Sequence, residues 1–281
     1  MRSRKWVQIV STFFHNGYLG FLNTSQIYNG FLKNFCAPGL NCHSCPSALF
    51  CCPLGMIQNF NISLRVLPLT SLIGPFFYLL SFFLFFGLTL GRFICGWLCP
   101  FGFFQELLYR IPFYKNSSNF KGQDFFKISL TLLFVFILPI LIISELGYGI
   151  LWFCKFFCPA GTLEAGYFNL FFQPFLFKNI GYVFYLKTLL LLMIILLCII
   201  NFRFFCKTAC PLGLIYGYFN RISIVKLTLE EKRCPFCKIC EKVCPMRISL
   251  PEKLDSKECI RCLICLKVCP YKAIKLKISH L

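Results

Sequence analysis

Two runs of cysteines near the end of the chain have the spacing of iron–sulfur ligands. They read Cys234-x2-Cys237-x2-Cys240-x3-Cys244-Pro245 and Cys259-x2-Cys262-x2-Cys265-x3-Cys269-Pro270. In such a run three thiolates bind one cubane, and the fourth, next to a proline that turns the chain, binds the neighbouring cubane. The tail is therefore predicted to hold two 4Fe-4S clusters, one on Cys234, Cys237, Cys240 and Cys269 and one on Cys259, Cys262, Cys265 and Cys244. Zinc sites are the alternative, but their cysteines usually form two separated C-x2-C pairs.

Four boxes of the form Cys-Pro-x-Gly recur along the rest of the chain. They are Cys52–Gly55, Cys99–Gly102, Cys158–Gly161 and Cys210–Gly213. The last three have a second cysteine four residues upstream (Cys95, Cys154 and Cys206), whereas Cys42 and Cys45 precede the first. Because proline fits the first helical position, each box predicts a helix start whose N-cap cysteine is stabilised as a thiolate by free amides and the helix dipole. Small apolar cysteines that help helices pack are the alternative, but the repetition favours metal centres.

Long apolar segments alternate with the boxes. Hydrophobic residues make up 58% of the chain and charged residues 14%, which excludes a water-soluble protein of this size. Residues 66–90, 128–146 and 183–200 each approach the ~20 residues that span a bilayer. A fourth segment, 6–22, contains His15 and Asn16 and either spans or lies in the interface; we favour a span.

These patterns predict an α-helical membrane protein of about four transmembrane helices with a C-terminal α+β ferredoxin module of the bacterial two-cluster type. The membrane domain is expected over 1–222. The ferredoxin domain is expected over 223–281, with repeats at about 225–249 and 250–279.

The basic residues give the expected topology. If the N-terminus is cytoplasmic and four segments span, all but five of the 29 Lys and Arg residues lie inside, the exceptions being Lys33, Arg65, Lys155, Lys178 and Lys187. The prediction is a multi-pass protein of the cytoplasmic (inner) membrane with its ferredoxin tail in the cytoplasm. The net charge of +19 then indicates membrane lipid as a partner, not nucleic acid, since no basic-aromatic stripe is present. Twenty cysteines in such a chain indicate metal ligands, not a disulfide framework.

Alternating spans also predict where the boxes lie. Cys95, Cys99, Cys206 and Cys210 are expected to form an inner-face centre. Cys45, Cys52, Cys154 and Cys158 are expected to form an outer-face centre, with Cys42 on the same side. One or two further iron–sulfur centres would then extend the tail clusters into a relay across the bilayer.

Few carboxylates precede the tail, so three of them are candidates for proton transfer. Glu106, Glu145 and Glu164 are predicted to relay protons to a quinone, or to be interfacial carboxylates satisfied by water. His15 is a candidate contact for a quinone head group, although a lone histidine is usually structural. No G-x-G-x-x-G or P-loop motif occurs, so no nucleotide site is predicted.

Taken together, the motifs resemble a family of membrane-bound 4Fe-4S polyferredoxins similar to NapH and to the C-terminal part of NosR. The resemblance covers about residues 66–281 and rests on Cys95/Cys99, Cys206/Cys210 and the two tail runs. The boxes at Cys45/Cys52 and Cys154/Cys158 depart from the NapH type. They resemble a broader branch of 4Fe-4S binding membrane proteins that read C-x2-CP-x5-CP-x-G, as Cys42–Gly55 does.

The resemblance implies electron transfer between the quinone pool or a cytoplasmic donor and a partner redox protein. The chain would be a subunit of an oxidoreductase with no substrate site of its own. The alternative is a redox factor for metal-centre assembly or regulation, like the membrane ferredoxins that reduce metals during oxidase maturation.

Overall fold

Three long apolar helices frame the protein in this computed structural model, which describes residues 2–24, 26–115, 122–142, 149–251 and 253–278. They are Leu69–Thr89, Gln123–Leu141 and Tyr182–Ile200, of 21, 19 and 19 residues. Each is long and apolar enough to cross a membrane. No more than 28% of the most apolar part of any of them is buried inside the protein, so most of their apolar surface is exposed.

Shorter helices fill the space between and beside the spans. In chain order the α-helices are α1 (Arg2–His15), α2 (Phe21–Thr24), α3 (Pro53–Val66), α4 (Leu69–Thr89), α5 (Phe93–Trp97), α6 (Pro100–Leu108), α7 (Gln123–Thr131), α8 (Leu138–Leu141), α9 (Phe168–Phe172), α10 (Tyr182–Ile200), α11 (Phe204–Thr208), α12 (Pro211–Phe219), α13 (Ile239–Lys242) and α14 (Ile264–Val268). Turns of 3-10 helix occupy Phe31–Asn34, Pro174–Asn179 and Glu231–Arg233. Wider π-helical turns occupy Leu132–Ile137, which joins α7 to α8, and Phe153–Phe157 and Gly161–Tyr167, which flank the third box.

The predicted fourth span, residues 6–22, is not a long helix. Helix α1 ends at His15, and its 14 residues cover about 21 Å at 1.5 Å per residue, less than the hydrocarbon core. Its buried face is polar and consists of Arg4, Gln8, Ser11 and His15. Gln8 donates to the Gly96 carbonyl (3.0 Å) and Ser11 to the Leu98 carbonyl (2.8 Å). The apolar residues that suggested a span, such as Trp6 and Phe13, lie on the opposite, exposed face.

The first box is drawn inward between the spans. Helix α3 turns directly into α4 after Val66 and packs along it, so the two run antiparallel. Because α3 covers about 21 Å, its first residues lie beside the second half of α4. There Met56, Phe82 and Phe86 pack around Cys36 and Cys51.

The tail contains two copies of one backbone. Strands β1 (Val225–Leu229) and β2 (Ile274–Ile278) pair antiparallel, with Leu227 opposite Leu276. Equivalent residues of the two cysteine runs have left-handed backbone: Phe236 and Arg261, Lys238 and Leu263, Arg247 and Lys272. A non-glycine residue adopts this conformation only where the surrounding structure requires it. The matching positions show that both runs fold the same loop around their thiols.

The tail packs directly on the second and fourth boxes. Arg92 pairs with Glu258 (2.9 Å), and Asn220 donates to the Cys259 carbonyl (2.7 Å). The Arg261 guanidinium is buried and donates to the carbonyls of Asn220 and Leu90. One hydrophobic core therefore runs from the boxes into the tail.

Glu106 connects three parts of the chain. It is 6% exposed, pairs with Arg4 of α1, and lies 2.6 Å from the fully buried Arg203 guanidinium. We expect Glu106→Gln to lower the free energy of unfolding by about 3–5 kcal/mol, because it leaves buried cations without a counter-charge. Thermal unfolding of the detergent-solubilised protein measures the change.

Glu230→Gln is the matched control, because Glu230 also pairs with two cations, Arg233 and Lys275, but at the exposed surface. It should leave the unfolding temperature unchanged. Equal effects of the two substitutions would contradict a structural role for Glu106.

Candidate metal centres

Four of the box cysteines form what we call the inner set: Cys95, Cys99, Cys206 and Cys210. Its two halves have the same construction, a five-residue helix, a Cys-Pro turn and a nine-residue helix. Cys99 and Cys210 are N-caps and accept hydrogen bonds from the Gly102 and Gly213 amides at 3.3 and 3.4 Å. The predicted helix starts are therefore confirmed at both boxes.

Arginine side chains join the two halves of the inner set. Arg203 donates to the Cys95 carbonyl, and Arg92 donates to the Cys206 carbonyl at 2.9 Å. Each guanidinium passes over the glycine of the opposite box, where a Cβ on Gly102 would lie 3.1 Å from Arg203 Nη1. Each arginine stands three residues before the first cysteine of its box. The sequence therefore repeats an Arg-x2-Cys-x3-Cys-Pro-x-Gly pattern. The arginine of this pattern was not considered when the metal ligands were predicted from the cysteine spacing.

The surroundings of the inner set fit a negatively charged group. Among the described residues, the buried cations here are Arg4, Arg92, Lys127, Arg203 and Lys207, and the carboxylates facing them are Glu106 and Glu258. In the same described part of the chain, Arg92 Nε is buried without a hydrogen-bond partner. Since buried charge must be compensated, this excess of positive charge suits four thiolates on an iron–sulfur cluster.

The outer set consists of Cys42, Cys52, Cys154 and Cys158. These cysteines line one cavity of about 580 Å³. Cys52 is the N-cap of α3, and Cys158 accepts a hydrogen bond from the Gly161 amide at 3.4 Å. A Cβ on Gly161 would lie 3.8 Å from the sulfurs of both Cys158 and Cys42, so the glycine leaves room between them.

Cys42 lines this cavity in the position predicted for Cys45. The Cys42 amide donates to Glu164 Oε2 at 2.6 Å, and this bond holds the segment against the third box. Cys45 does not line the cavity; its thiol is buried 3.1 Å from Ser47 Oγ. Spacing alone gave no reason to prefer one of the two, because the choice depends on a contact more than a hundred residues away.

The outer cavity also contains an unsatisfied polar group. Asn41 lines it and is fully buried, and neither its amide nitrogen nor its oxygen has a hydrogen-bond partner among the described residues. A buried carboxamide is costly without a partner. The sulfur atoms of a bound cluster would accept from it, so this site also fits the group that its four thiols suggest.

Burial alone does not favour thiolates at either set. It raises the pKa of the Cys52 and Cys99 thiols to about 12, with neighbouring cysteines adding to the effect. Such thiols are protonated near neutral pH and ionise only when a metal supplies positive charge. They are therefore poor free nucleophiles and reasonable metal ligands.

A glutamine follows the cysteine of two Cys-Pro-x-Gly boxes by six residues: Gln58 after Cys52 and Gln105 after Cys99. Gln105 Nε2 donates to Cys206 Sγ at 3.1 Å, and Gln58 Nε2 donates to Cys154 Sγ at 3.2 Å. In each case the acceptor is the upstream cysteine of the opposite box. The inner and outer sets thus repeat the same amide–sulfur contact.

The two sets are neighbours and not, as predicted, at opposite membrane faces. The Leu40 amide donates to Cys99 Sγ of the inner set at 3.4 Å, and Cys42, two residues later, belongs to the outer set. Two residues reach at most about 7 Å, whereas the hydrocarbon core is ~30 Å thick. The prediction failed because it placed each box at the end of a span, whereas the first and third boxes fold back between the spans.

The third box shows this return clearly. Phe157 packs on Phe134 with ring centres 4.6 Å apart, and Lys187, within the span α10, donates to the Cys154 carbonyl at 3.1 Å. The π-helical turns on both sides of this box place Cys154 and Cys158 alongside the long helices and not beyond their ends. Such turns are often found at functional sites.

In the tail, the structure brings together Cys244, Cys259, Cys262 and Cys265 around a small cavity walled by apolar residues that include Ile248 and Leu250. This grouping combines three thiols of the second run with the fourth of the first. Cys234, Cys237 and Cys240 of the first run also lie near one another. The assignment of Cys269 to them stays a prediction.

Within the described residues, no three His, Cys, Asp or Glu side chains converge on a single metal-ion position.

Comparison with known proteins identifies what these repeats are. A family model described as a 4Fe-4S binding domain matches residues 72–120, 129–175 and 186–230, and each match contains most of one span and one box. The chain belongs to this 4Fe-4S binding family. A second model, also described as a 4Fe-4S binding domain, matches residues 252–275, which contain the second cysteine run of the tail.

Two proteins of Methanocaldococcus jannaschii are similar to this 4Fe-4S binding protein. Uncharacterized protein MJ0749 is 33% identical over 206 residues, which is 72% of this chain and 68% of the relative. Uncharacterized protein MJ0750 is 29% identical over 232 residues, 82% of this chain and 81% of the relative. No solved structure matches the chain.

The other polar residues predicted to be functional have different surroundings in this 4Fe-4S binding protein. Glu106 forms ion pairs with Arg4 and Arg203, which indicates a structural role. Glu164 contacts the Cys42 amide, and burial raises the pKa of its carboxyl to about 8, although part of the side chain reaches the surface. Glu145 lies outside the described residues. His15 accompanies Ser11 on the buried face of α1, and burial lowers its pKa.

The glutamine–sulfur contacts predict a measurable effect on the clusters. Hydrogen bonds to cluster sulfurs raise the reduction potential. We expect Gln105→Leu to shift the midpoint potential of the inner-set cluster downward by tens of millivolts, since ~59 mV corresponds to about 1.4 kcal/mol in a one-electron couple. Redox titration followed by EPR measures the shift.

Gln58→Leu should do the same to the outer-set signal and leave the inner-set signal in place, so each variant is the control for the other. If both substitutions shift the same signal, or neither shifts any, the contacts do not tune the clusters.

Proposed function

We propose that this protein is a membrane-bound electron carrier in which four 4Fe-4S clusters form one line. Two clusters would lie in the tail, one on the inner set and one on the outer set. The observation that supports this most strongly is that the loop carrying tail thiols contacts the inner-set loop, and that residues 38–42 connect the inner set to the outer set. Clusters supply one-electron redox chemistry when bound; the residues described here would hold and position them.

The contact between tail and inner set involves the loops that carry the thiols. Gly96, between Cys95 and Cys99, lies against the Ile260 carbonyl, between Cys259 and Cys262, with no room for a Cβ. The neighbouring Trp97 indole donates to the Arg261 carbonyl at 3.0 Å. A larger residue at Gly96 would separate these two sites.

The contact between inner and outer sets is made by residues 38–42. Tyr216 donates to the Pro38 carbonyl at 3.0 Å and Leu40 donates to Cys99, while Cys42 faces the outer cavity. This short segment is hydrogen-bonded at both ends. Electrons would pass across it and not across the full thickness of a bilayer.

A second cavity beside this segment is suited to a quinone. It has a volume of about 590 Å³, is almost entirely apolar, and is lined by the exposed face of α1 with Pro38, Phe86 and Leu98. Ser11 and His15 supply its polar groups, and the lowered pKa of His15 keeps the imidazole neutral. Leu98 adjoins Cys99, so a quinone head group here would lie next to the inner set.

The likeness to NapH and the C-terminal part of NosR supports exchange with the quinone pool and with a partner redox protein. The three apolar helices and the basic tail support a multi-pass arrangement in the cytoplasmic membrane with the tail in the cytoplasm.

Metal analysis tests the four-cluster arrangement. We expect about 16 irons and about 16 acid-labile sulfides per chain, four of each per cubane. Cys42→Ser should remove about four of each, because it deletes an outer-set ligand, whereas Cys45→Ser should remove none. About eight irons in the wild type would mean that only the tail is metallated, and loss of iron in Cys45→Ser would restore the sequence-based assignment.

Filling the apolar cavity tests the quinone site. Val10→Trp should slow reduction of the clusters by a quinol analogue at least about tenfold, equivalent to 1.4 kcal/mol, and leave reduction by dithionite unchanged. EPR after mixing measures both rates. Leu69→Trp, at an exposed apolar position that does not line the cavity, is the control. Clusters in the wild type that stay oxidised with quinol but are reduced by dithionite would exclude a quinol donor.

A further inference from the structure

One pair of cysteines belongs to neither the inner set, the outer set nor the tail. Cys36 and Cys51 form a disulfide, and both are buried. Hydrogen bonds hold the two strands of chain together here, from the Ala37 amide to the Cys51 carbonyl (2.9 Å) and from the Cys51 amide to the Phe35 carbonyl (2.8 Å). This bond was not predicted from the sequence, because the cysteine pattern indicated metal ligands and not disulfides.

The disulfide lies between two cavities. Cys51 lines the cavity of the outer set, and it directly precedes Cys52, one of the outer-set thiols. Cys36 lines the apolar cavity of α1. The disulfide is therefore the covalent link between a site that suits an iron–sulfur cluster and a site that suits a quinone.

This position matters because the two sites handle electrons in different numbers. A cluster gives or takes one electron at a time, whereas a quinone and its quinol differ by two electrons and two protons. A disulfide and its two thiols also differ by two electrons and two protons. The Cys36–Cys51 disulfide, with the same two-electron, two-proton stoichiometry as a quinone, therefore lies between the one-electron site and the two-electron site.

We propose that Cys36–Cys51 is a redox-active disulfide that exchanges electrons with the outer set. In the reducing direction the S–S bond breaks, two electrons arrive one after the other from the outer-set cluster, and two protons from water complete the two thiols. The reverse step forms the S–S bond and returns two electrons to the cluster and two protons to water. The inference rests on the proposed function, because the cluster is its redox partner.

Protons have a route to this site. The outer cavity is bordered by Asn34, His43 and Ser44, which are exposed, so it is open to solvent. Lys33 and Lys187 line the same cavity. Water that enters there reaches Cys51 without crossing the apolar cavity.

Counting disulfides before and after one-electron reduction tests the proposal on the full chain in detergent. Under anaerobic conditions the protein is treated with reduced methyl viologen and then denatured in excess N-ethylmaleimide, which blocks every free thiol. A disulfide reductant and a polyethylene glycol maleimide then add one tag to each cysteine that had been in a disulfide. We expect two tags before reduction and none after it, and no tags at all in Cys36→Ser.

A second comparison tests the route. Cys158→Ser removes an outer-set ligand but not the disulfide, and it should slow the loss of tags at least tenfold while the tail clusters are still reduced. Cys45→Ser replaces a buried cysteine outside the cavity and should behave like the wild type. A disulfide that opens equally fast in Cys158→Ser would overturn the proposal, since viologen would then be acting directly.

Iron analysis and EPR of the same samples separate the two hypotheses. Clusters that are present and reduced, with two tags remaining, would show that the disulfide is a structural link and leave the electron-carrier function intact. An outer set without iron would overturn both.

Discussion

The arrangement of the whole protein depends on two fully buried arginines. Arg92 and Arg203 lie just before the two halves of the inner set, and each reaches across to the backbone of the opposite half. A buried guanidinium needs a counter-charge. The counter-charge of Arg203 is Glu106, which also pairs with Arg4 of α1. The counter-charge of Arg92 is Glu258, a residue of the tail. The same two side chains thus assemble the inner set and fasten both ends of the chain around it.

This constraint also explains why α1 is polar on its buried face. In a membrane protein the apolar surface faces lipid, and the interior is where polar groups find partners. Arg4, Gln8 and Ser11 contact Glu106 and the backbone of the second box. The helix is oriented by hydrogen bonds, and its apolar side is left to line a cavity and to face outward.

The inner and outer thiol sets lie close together because the elements that carry them are short and fold back between the long helices. The first and third boxes return between the spans, and the segment 38–42 joins their set to the inner one. The tail loops then press on the inner set at Gly96, where only glycine fits. Electron transfer between sites requires that they lie near one another, and this packing brings the thiol sets together without a long soluble domain.

The sequence by itself determined the chemistry of individual sites. Cysteine spacing predicted the tail runs, the box prolines predicted helix starts at Cys52, Cys99 and Cys210, and hydropathy predicted the three long helices. These are local properties, because backbone geometry, capping and side-chain transfer energy act within a few residues. The family match to 4Fe-4S binding domains agrees with them.

Only the tertiary structure decided which distant residues meet. It chose Cys42 over Cys45 through a bond to Glu164, paired Cys36 with Cys51, replaced the expected fourth span by a short helix, and brought the two sets together. None of these is encoded in a local pattern, since each depends on where a chain that folds back between helices places its buried polar groups. The Arg-x2-Cys pattern is present in the sequence, but its role follows only from the structure, in which each arginine donates to the backbone of the opposite box.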